Sequence, residues 1–307
     1  SDDTSYSSNT EIETKTLLLN NNLLTLGTAG SDISVKDNMT FENSSEQINT
    51  GLADLSLEGG LILEEGKITS TGGIVYLEKG GKQSGGILDI SDSTLKLGES
   101  FTKTAGTLTT TDDGTILELM KNLTVSSDSS INFYQVALNN NTLTLGSEST
   151  DLQVSSALTL DNINERVMTG AADLSLLAFQ DISIGGVTST GGTISLLAGG
   201  QLSGTGKLDV SGSTWTLGGV FVKSSGTLTI SQTNLALSGN STLTSDEALS
   251  FVTLNLNDFT LTLGSLTSDL TVENAITIDA STEGISTVEA DLTVEGDFTL
   301  ANGKLES

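Results

Sequence analysis

The sequence predicts an all-β protein, a parallel β-helix or β-solenoid, from a long internal repeat and a period-2 hydrophobic pattern. Residues 20–27 recur as residues 139–146 and again as residues 257–264, so the copies begin about 119 residues apart. Repeats of fixed period are typical of solenoids, in which every copy packs against its neighbours. Within each copy, short segments alternate Leu, Ile or Val with Thr or Ser, as strands with one buried face do. No segment shows a convincing 3.6-residue period, so no helix is expected.

The repeat extends over nearly the whole chain and predicts the domain organisation. The text Ala-Asp-Leu-Ser-Leu at residues 53–57 recurs at 172–176, and as Ala-Asp-Leu-Thr-Val at 290–294. We therefore predict a single continuous β-solenoid over residues 1–307. Each repeat of about 119 residues is expected to hold five or six coils of about 20 to 24 residues. The expected copies are approximately residues 1–138 (a partial copy with the first linker coils), 139–256, and 257–307 (a second partial copy).

A tandem array of β-sandwich domains is the structural alternative, since a repeat of about 119 residues is the size of an immunoglobulin domain. Three features favour the solenoid. The chain contains no Pro, which sandwich edges and linkers usually carry, and its aromatic residues are few and irregularly placed. The strands within one copy also resemble each other closely, as expected if every coil packs against its neighbours in the same way.

Gly and Asn residues mark the expected corners between strands. The glycine pairs at residues 72–73, 85–86 and 191–192 are expected to supply corners with positive φ. The Asn-Asn-Asn run at residues 20–22 and 139–141 is a candidate corner, at which stacked amides can form a ladder from coil to coil.

The composition excludes several kinds of site. The 307 residues include no His and no Cys, so an imidazole base, a thiolate nucleophile, the usual zinc or copper site and any disulfide are excluded. The 39 acidic and 12 basic residues give a formal net charge of −27. This charge argues against nucleic acid and anionic membrane surfaces as partners, because both repel a polyanion. No run of 18 apolar residues is present, so we predict no transmembrane segment.

The strand-and-turn text Thr-Leu-Thr-Leu-Gly, at residues 142–146 and 260–264, resembles that of filamentous haemagglutinin-type exoproteins and autotransporter passenger domains. The resemblance covers the whole chain. It implies a right-handed parallel β-helix on a bacterial surface, in families whose members often act as adhesins. These families have no fixed catalytic motif to transfer to residues of this chain.

Acidic residues offer two kinds of candidate site. A polysaccharide-cleaving β-helix needs two or three carboxylates at one sugar bond, for which Asp112 with Asp113, or Asp89 with Asp209, are candidates. Because Asp89 and Asp209 are repeat equivalents, we expect them about one repeat apart, which argues against an enzyme. Calcium takes hard oxygen ligands, and Asp112, Asp113 and Asp128 are candidates for it. Neither an EF-hand loop nor a Gly-rich nonapeptide array accompanies them.

Ice binding is another alternative, because outward Thr-x-Thr pairs on a flat solenoid face can order water. Neighbouring strands carry Lys96, Gln153, Ala236 or Asn255 at similar positions, which would interrupt such a face. The candidate pairs are Thr142/Thr144, Thr214/Thr216, Thr227/Thr229 and Thr260/Thr262.

These observations predict a non-enzymatic, acidic, extracellular protein of the bacterial cell surface that has no cofactor. It would be an adhesin stalk or a self-assembling fibre subunit, and an adhesin would take a host-surface or carbohydrate ligand. The chain begins and ends mid-repeat without an obvious cap, which predicts end-to-end self-association or membership of a longer chain. An ice-binding or a polysaccharide-binding or -cleaving β-helix is the alternative.

Overall fold

The computed structural model describes residues 3–307, and these residues form 40 β-strands and no helix. The chain divides into two compact units, Ser1–Ser155 (unit 1) and Ser156–Ser307 (unit 2). Each unit is a parallel β-solenoid, and together they contain about 15 turns. The predicted fold class is therefore confirmed.

The strands are short, and almost all have three to five residues. The strands of unit 1 are β1 (Thr4–Tyr6), β2 (Ile12–Thr14), β3 (Leu23–Leu26), β4 (Ile33–Val35), β5 (Met39–Phe41), β6 (Gln47–Gly51), β7 (Leu55–Leu57), β8 (Leu61–Leu63), β9 (Lys67–Ser70), β10 (Ile74–Leu77), β11 (Gly81–Asp89), β12 (Thr94–Leu97), β13 (Phe101–Thr109), β14 (Ile116–Leu119), β15 (Leu123–Ser126), β16 (Ile131–Phe133), β17 (Gln135–Ala137), β18 (Thr142–Leu145) and β19 (Leu152–Val154). The strands of unit 2 are β20 (Arg166–Gly170), β21 (Leu174–Leu176), β22 (Gln180–Ile182), β23 (Gly186–Ser189), β24 (Thr193–Leu196), β25 (Gly200–Leu202), β26 (Lys207–Asp209), β27 (Thr214–Leu217), β28 (Val220–Lys223), β29 (Thr227–Thr229), β30 (Asn234–Leu237), β31 (Ser241–Ser245), β32 (Leu249–Phe251), β33 (Thr253–Asn255), β34 (Thr260–Leu263), β35 (Leu270–Val272), β36 (Ile276–Ile278), β37 (Gly284–Ser286), β38 (Leu292–Val294), β39 (Phe298–Leu300) and β40 (Lys304–Glu306).

The turns of unit 1 place most of their strands in three parallel stacks, and β16 pairs with β19 outside these three. Residues that lie directly above one another are 19 to 24 positions apart, as in the pairs Leu117 with Val136, Leu55 with Val75, and Leu24 with Ile48. This spacing confirms the predicted coil length. One stack is β2, β4, β7, β10, β12, β14 and β17; a second is β5, β8, the first half of β11, the first half of β13, β15 and β18; the third is β1, β3, β6, β9 and the second halves of β11 and β13.

Unit 2 repeats this arrangement with more interruptions between the strands. Its longest stack contains seven strands, and two short stacks follow the places where hydrogen-bonded pairing stops. The stacks are β22, β25, β28, β31, β34, β37 and β40; β21, β24, β27, β30 and β33; β20, β23, β26 and β29; β32, β35 and β38; and β36 with β39.

The core of each unit consists of inward rows in which one apolar residue from every turn lies above the next. Full burial of one such side chain contributes about 1.5–3 kcal/mol, so the rows account for much of the stability. Alternate residues such as Ser56 point outward and are partly exposed, as the period-2 pattern predicts. One row of unit 1 contains Ile33, Leu55, Val75, Leu95, Leu117 and Val136, and the equivalent row of unit 2 contains Leu174, Ile194, Trp215, Leu235 and Leu254.

The asparagine runs lie at corners, as predicted. Asn139 and Asn140 have φ angles of 51° and 66°, in the left-handed region that Asn tolerates better than most residues. The side-chain amide of Asn139 donates to the carbonyl oxygen of Leu119 one coil earlier, at 3.2 Å. Asn257 donates to the carbonyl oxygen of Leu237 in the same way, at 2.8 Å. These corners therefore join coils by amide-to-backbone bonds, where an amide-to-amide ladder was considered from the sequence.

The prediction that the glycine pairs have positive φ is only partly right. Of the six glycines expected to have positive φ, only Gly72 and Gly86 do, with φ angles of 148° and 59°. Gly73 is needed for close approach, since a Cβ there would lie 2.2 Å from the carbonyl oxygen of Ala53 in the preceding coil. Gly192 has the same role in the next copy, with a corresponding distance of 2.1 Å. At Gly73 and Gly192 the coil spacing, and not the φ angle, requires glycine.

Candidate functional site

The carboxylates considered for sugar cleavage are held separately at equivalent corners. Asp89 accepts a hydrogen bond from the Ser91 hydroxyl at 2.9 Å, and Asp209 accepts one from the Ser211 hydroxyl at 2.7 Å. Asp89 also lies 3.4 Å from the ammonium of Lys67. In the strand register, Asp89 lies between Thr69 and Thr109, and Asp209 lies between Thr188 and Thr229, so the residues paired with each aspartate are threonines.

The calcium candidates lie in two different turns. Asp112 and Asp113 are exposed in the turn between β13 and β14, whereas Asp128 lies between β15 and β16 in contact with the Lys103 ammonium. Within residues 3–307, no group of three or more acidic side chains is close enough to hold a metal ion. Calcium binding by these residues stays a prediction.

The threonine pairs point outward but stack over few turns. Thr214 and Thr216 of β27 are followed in the next turn by Asn234 and Ala236. Thr227 of β29 lies next to Lys207 of the preceding turn. The hydroxyl rows are therefore interrupted, as the sequence predicts.

A polar groove in unit 2 is the other candidate for a ligand. It has a volume of about 340 Å³. One of its two acids, Glu283, accepts hydrogen bonds from the backbone N–H groups of Asp279 and Ala280. The other, Glu306, lies 4.0 Å from the ammonium of Lys304. Both acids are thus engaged within the fold.

The most unusual polar contacts are those of a buried lysine in unit 1. Lys103 occupies an inward position of β13, two residues after the buried Phe101, and its side chain is only 5% exposed. Its ammonium contacts the carboxylate of Asp128 in the next coil. The Ser129 hydroxyl lies 3.1 Å from the same ammonium and 3.4 Å from the Asp128 carboxylate. The hydrogen bond from Lys103 is the main cause that lowers the pKa of Asp128.

Unit 2 has the same arrangement at the equivalent residues. Lys223 of β28 follows the buried Phe221, is 4% exposed, and contacts the carboxylate of Asp246. Here a second carboxylate, that of Glu247, lies 3.0 Å from the ammonium. Burial alone would lower the pKa of Lys223, but its hydrogen bonds to Asp246 and Glu247 outweigh burial and raise the pKa. We call these two clusters the lysine corners.

Both lysine corners lie beside an interruption in strand pairing. The second half of β13 ends its stack, and β16 in the next turn begins a new one with β19. In unit 2, β29 likewise ends a stack and β32 begins another. At each of these places the lysine connects two coils that the hydrogen-bond ladder leaves partly unpaired.

Sequence reasoning did not find the lysine corners, although a signal for them was present. The texts Phe-Thr-Lys at 101–103 and Phe-Val-Lys at 221–223 put a lysine at an alternating position that predicts burial. Ser-Asp-Ser at 127–129 and Ser-Asp-Glu at 245–247 then supply the acids about one coil later. A buried charge needs a partner, so the two texts together indicate an ion pair.

Comparison with known proteins identifies no relative, since no protein family, curated protein or solved structure matches the chain. Among residues 3–307 there is no helix long and apolar enough to cross a membrane.

Proposed function

We propose that the chain is a non-enzymatic structural module, a β-solenoid segment of a stalk or fibre on the outside of a bacterial cell. The observation that carries this proposal is that the specific polar contacts of one copy recur in the others, where they join neighbouring coils or fix the loops between strands. A scaffold requires such regular contacts between neighbouring repeats. An enzyme would instead require one place where reactive groups converge and the repeat is broken.

One such contact is a hydrogen bond from the backbone N–H of a serine to a Ser or Thr hydroxyl of the next coil. Three examples of it lie in the described residues. The backbone N–H of Ser127 donates to the Thr150 hydroxyl at 2.8 Å, and that of Ser245 donates to the Ser268 hydroxyl at 2.8 Å. Near the start of the chain, the N–H of Ser8 donates to Ser31 at 3.0 Å. Each bond satisfies a backbone group that the strand ladder does not reach.

A buried or half-buried glutamate is a second recurring contact. Glu46 accepts hydrogen bonds from two backbone N–H groups of its own loop, at 2.9 and 3.2 Å. Glu165 and Glu283 do the same at the equivalent positions of the later copies. These contacts fix the loops between strands, and their repetition favours a structural role.

The surface charge supports a location outside the cell. A net charge of −27 keeps a repetitive β-protein soluble and discourages association through exposed strand edges. The absence of Cys is compatible with bacterial surface proteins, and the resemblance to haemagglutinin-type and autotransporter passenger proteins points the same way. Adhesin stalk and fibre subunit are both consistent with this proposal.

Immunogold electron microscopy of intact cells of the source organism tests the proposal. We expect label on stalks or fibres outside the cell, no label in a deletion strain, and loss of those structures or of attachment on deletion. Label confined to the cytoplasm would overturn it. Unchanged surface structures and attachment in the deletion strain, together with specific binding of the purified chain to immobilised polysaccharide, would favour the polysaccharide-binding alternative.

A further inference from the structure

The lysine corners combine three properties that an ordinary surface ion pair lacks. The ammonium is almost completely buried, the acid comes from the neighbouring coil, and the whole cluster recurs about one repeat later. The chain has no cysteine, so it cannot cross-link its coils by disulfides.

We infer that each lysine corner forms an intramolecular isopeptide bond, joining Lys103 to Asp128 and Lys223 to Asp246. Both residues of each pair are held in contact by the fold, which makes the reaction effectively unimolecular. Well-oriented intramolecular reactions reach effective concentrations of about 10⁵–10⁸ M. Such a concentration favours condensation that does not occur between free amines and carboxylates in water.

The reaction balances without any co-reactant. The ammonium first gives one proton to the aspartate carboxylate that it contacts, and the resulting amine attacks Cγ of the carboxylic acid so formed. A C–N bond forms, one C–O bond breaks, and the leaving hydroxyl group takes a second proton from the nitrogen. One ammonium and one carboxylate thus become one amide and one water molecule, and nothing is oxidised or reduced.

The burial of the two lysine side chains favours this condensation. The Lys103 and Lys223 side chains are 5% and 4% exposed, so few water molecules compete for the nucleophile. The side chains of Asp128 and Asp246 are 41% and 43% exposed, which leaves a path for the water that is released. The amide, once formed, has no charge to keep hydrated.

The two corners differ in the group that can carry the proton. In unit 2, Glu247 lies 3.0 Å from the Lys223 ammonium and can act as the base and then as the acid. In unit 1 the equivalent residue is Ser129, whose hydroxyl is a much weaker base. We therefore expect the Lys223–Asp246 bond to form faster than the Lys103–Asp128 bond.

Mass spectrometry of the whole denatured chain tests the inference. We expect the mature chain to be lighter than its sequence mass by two water molecules. Lys103→Arg and Lys223→Arg should each restore one water molecule, because Arg keeps the charge but forms no amide here. Lys207→Arg, at an exposed lysine of β26, is the matched control and should leave both losses in place.

Location of the bond is part of the test, because an Asp-Gly sequence such as Asp113–Gly114 can also lose water by closing on its own backbone. Fragment spectra of a protease digest should show branched peptides that contain Lys103 with Asp128, and Lys223 with Asp246. A chain that keeps its full sequence mass after prolonged incubation in the folded state would overturn the inference. A mass loss found only within single linear peptides would also overturn it.

The rate of bond formation during the first folding of a chain that is synthesised and isolated unfolded, before either bond has formed, tests the role of the proton carrier. Glu247→Gln should slow the second water loss by about a hundredfold, while folding followed by circular dichroism stays unchanged. Ser129→Glu should accelerate bond formation at the first corner, since it copies the arrangement of unit 2. A merely structural role for Glu247 would change the folding signal and leave the rate of mass loss unaltered.

Discussion

Units 1 and 2 build the same inward rows from different residues. Trp215 of unit 2 occupies the position that Leu95 has in unit 1, between stacked residues of the turns before and after. Glu247 replaces Ser129 at the lysine corner. The difference shows that the coil geometry fixes the position of a side chain. Side chains of different size and charge are accepted at that position.

Trp215 turns its part of unit 2 into an aromatic cluster. Its ring lies 4.8 Å from that of Phe221 in an edge-to-face contact, and 6.0 Å from that of Phe251. Phe101 and Phe133 are buried at the equivalent positions in unit 1, where Leu95 stands in place of Trp215. Edge-to-face pairs contribute about 0.5–1.5 kcal/mol beyond the area that they bury. We therefore expect unit 2 to depend more strongly on this row than unit 1 does.

The largest expected effect is that of Trp215→Ala. The side chain is fully buried, so the cavity should lower the free energy of unfolding by about 3–5 kcal/mol. Trp215→Leu, which copies unit 1, should cost clearly less, because Leu fills part of the space and the buried indole N–H has no hydrogen-bond partner to lose. Urea unfolding followed by circular dichroism measures both.

Leu95→Ala is the matched change in unit 1, with an expected cost of about 2–5 kcal/mol. Equal costs for Trp215→Leu and Trp215→Ala would contradict the view that the row needs bulk at this position and not the indole itself.

An intermediate effect is expected from the lysine corners. Asp128→Ala leaves the buried Lys103 ammonium with only the Ser129 hydroxyl, whereas Asp246→Ala leaves Lys223 with the Glu247 carboxylate at 3.0 Å. Since an unpaired buried charge is costly, Asp128→Ala should lower the urea midpoint more than Asp246→Ala does.

The double variant Asp128→Ala with Lys103→Met is the control for this comparison. Methionine fits an apolar site without needing a counter-ion, so the double variant should have a higher urea midpoint than Asp128→Ala alone. A double variant that is no more stable than Asp128→Ala alone would show that the loss has a cause other than the unpaired charge.

Most of the fold could be predicted from the sequence, because repeat length and strand alternation are local signals. The coil length and the Asn139 corner follow directly from them. The aromatic residues were judged irregular, and this was wrong for Phe101 and Phe133, which recur as Phe221 and Phe251. Turns of unequal length change the offset from 120 to 118 residues between these two pairs, so a fixed period does not reveal them.

The candidate site was less predictable than the fold. A lysine in a Thr-rich strand indicates an exposed charge, and only its register relative to Phe101 or Phe221 shows that it points inward. Its partner lies 23 to 25 residues later, a separation set by the stacking of whole coils. The expectation of one continuous solenoid over residues 1–307 stays a prediction, as does the location on a cell surface.

The smallest expected effect concerns the glutamates that hold the loops. In unit 1, Glu46 accepts two backbone hydrogen bonds, whereas Glu283 in unit 2 accepts a third, from the N–H of Asp258 at 3.3 Å. Burial alone would raise the pKa of Glu283, but its hydrogen bonds to backbone N–H groups outweigh burial and lower the pKa below the ordinary 4.5. The folded state therefore prefers the ionised carboxylate.

Because the folded pKa of Glu283 is lowered, its contribution to stability is fully present above pH 4.5 and is lost as the pH falls through the folded pKa. Glu283→Gln should be less stable than the unmodified chain at pH 7, and the difference should shrink as the pH falls below 4.5. Urea midpoints measured at several pH values between neutral and acidic test this. Glu295→Gln, at an exposed glutamate of the same unit, is the control and should change little at pH 7. A Glu283→Gln deficit that is constant over the whole pH range would contradict the assignment, because loss of loop packing alone has no such pH dependence.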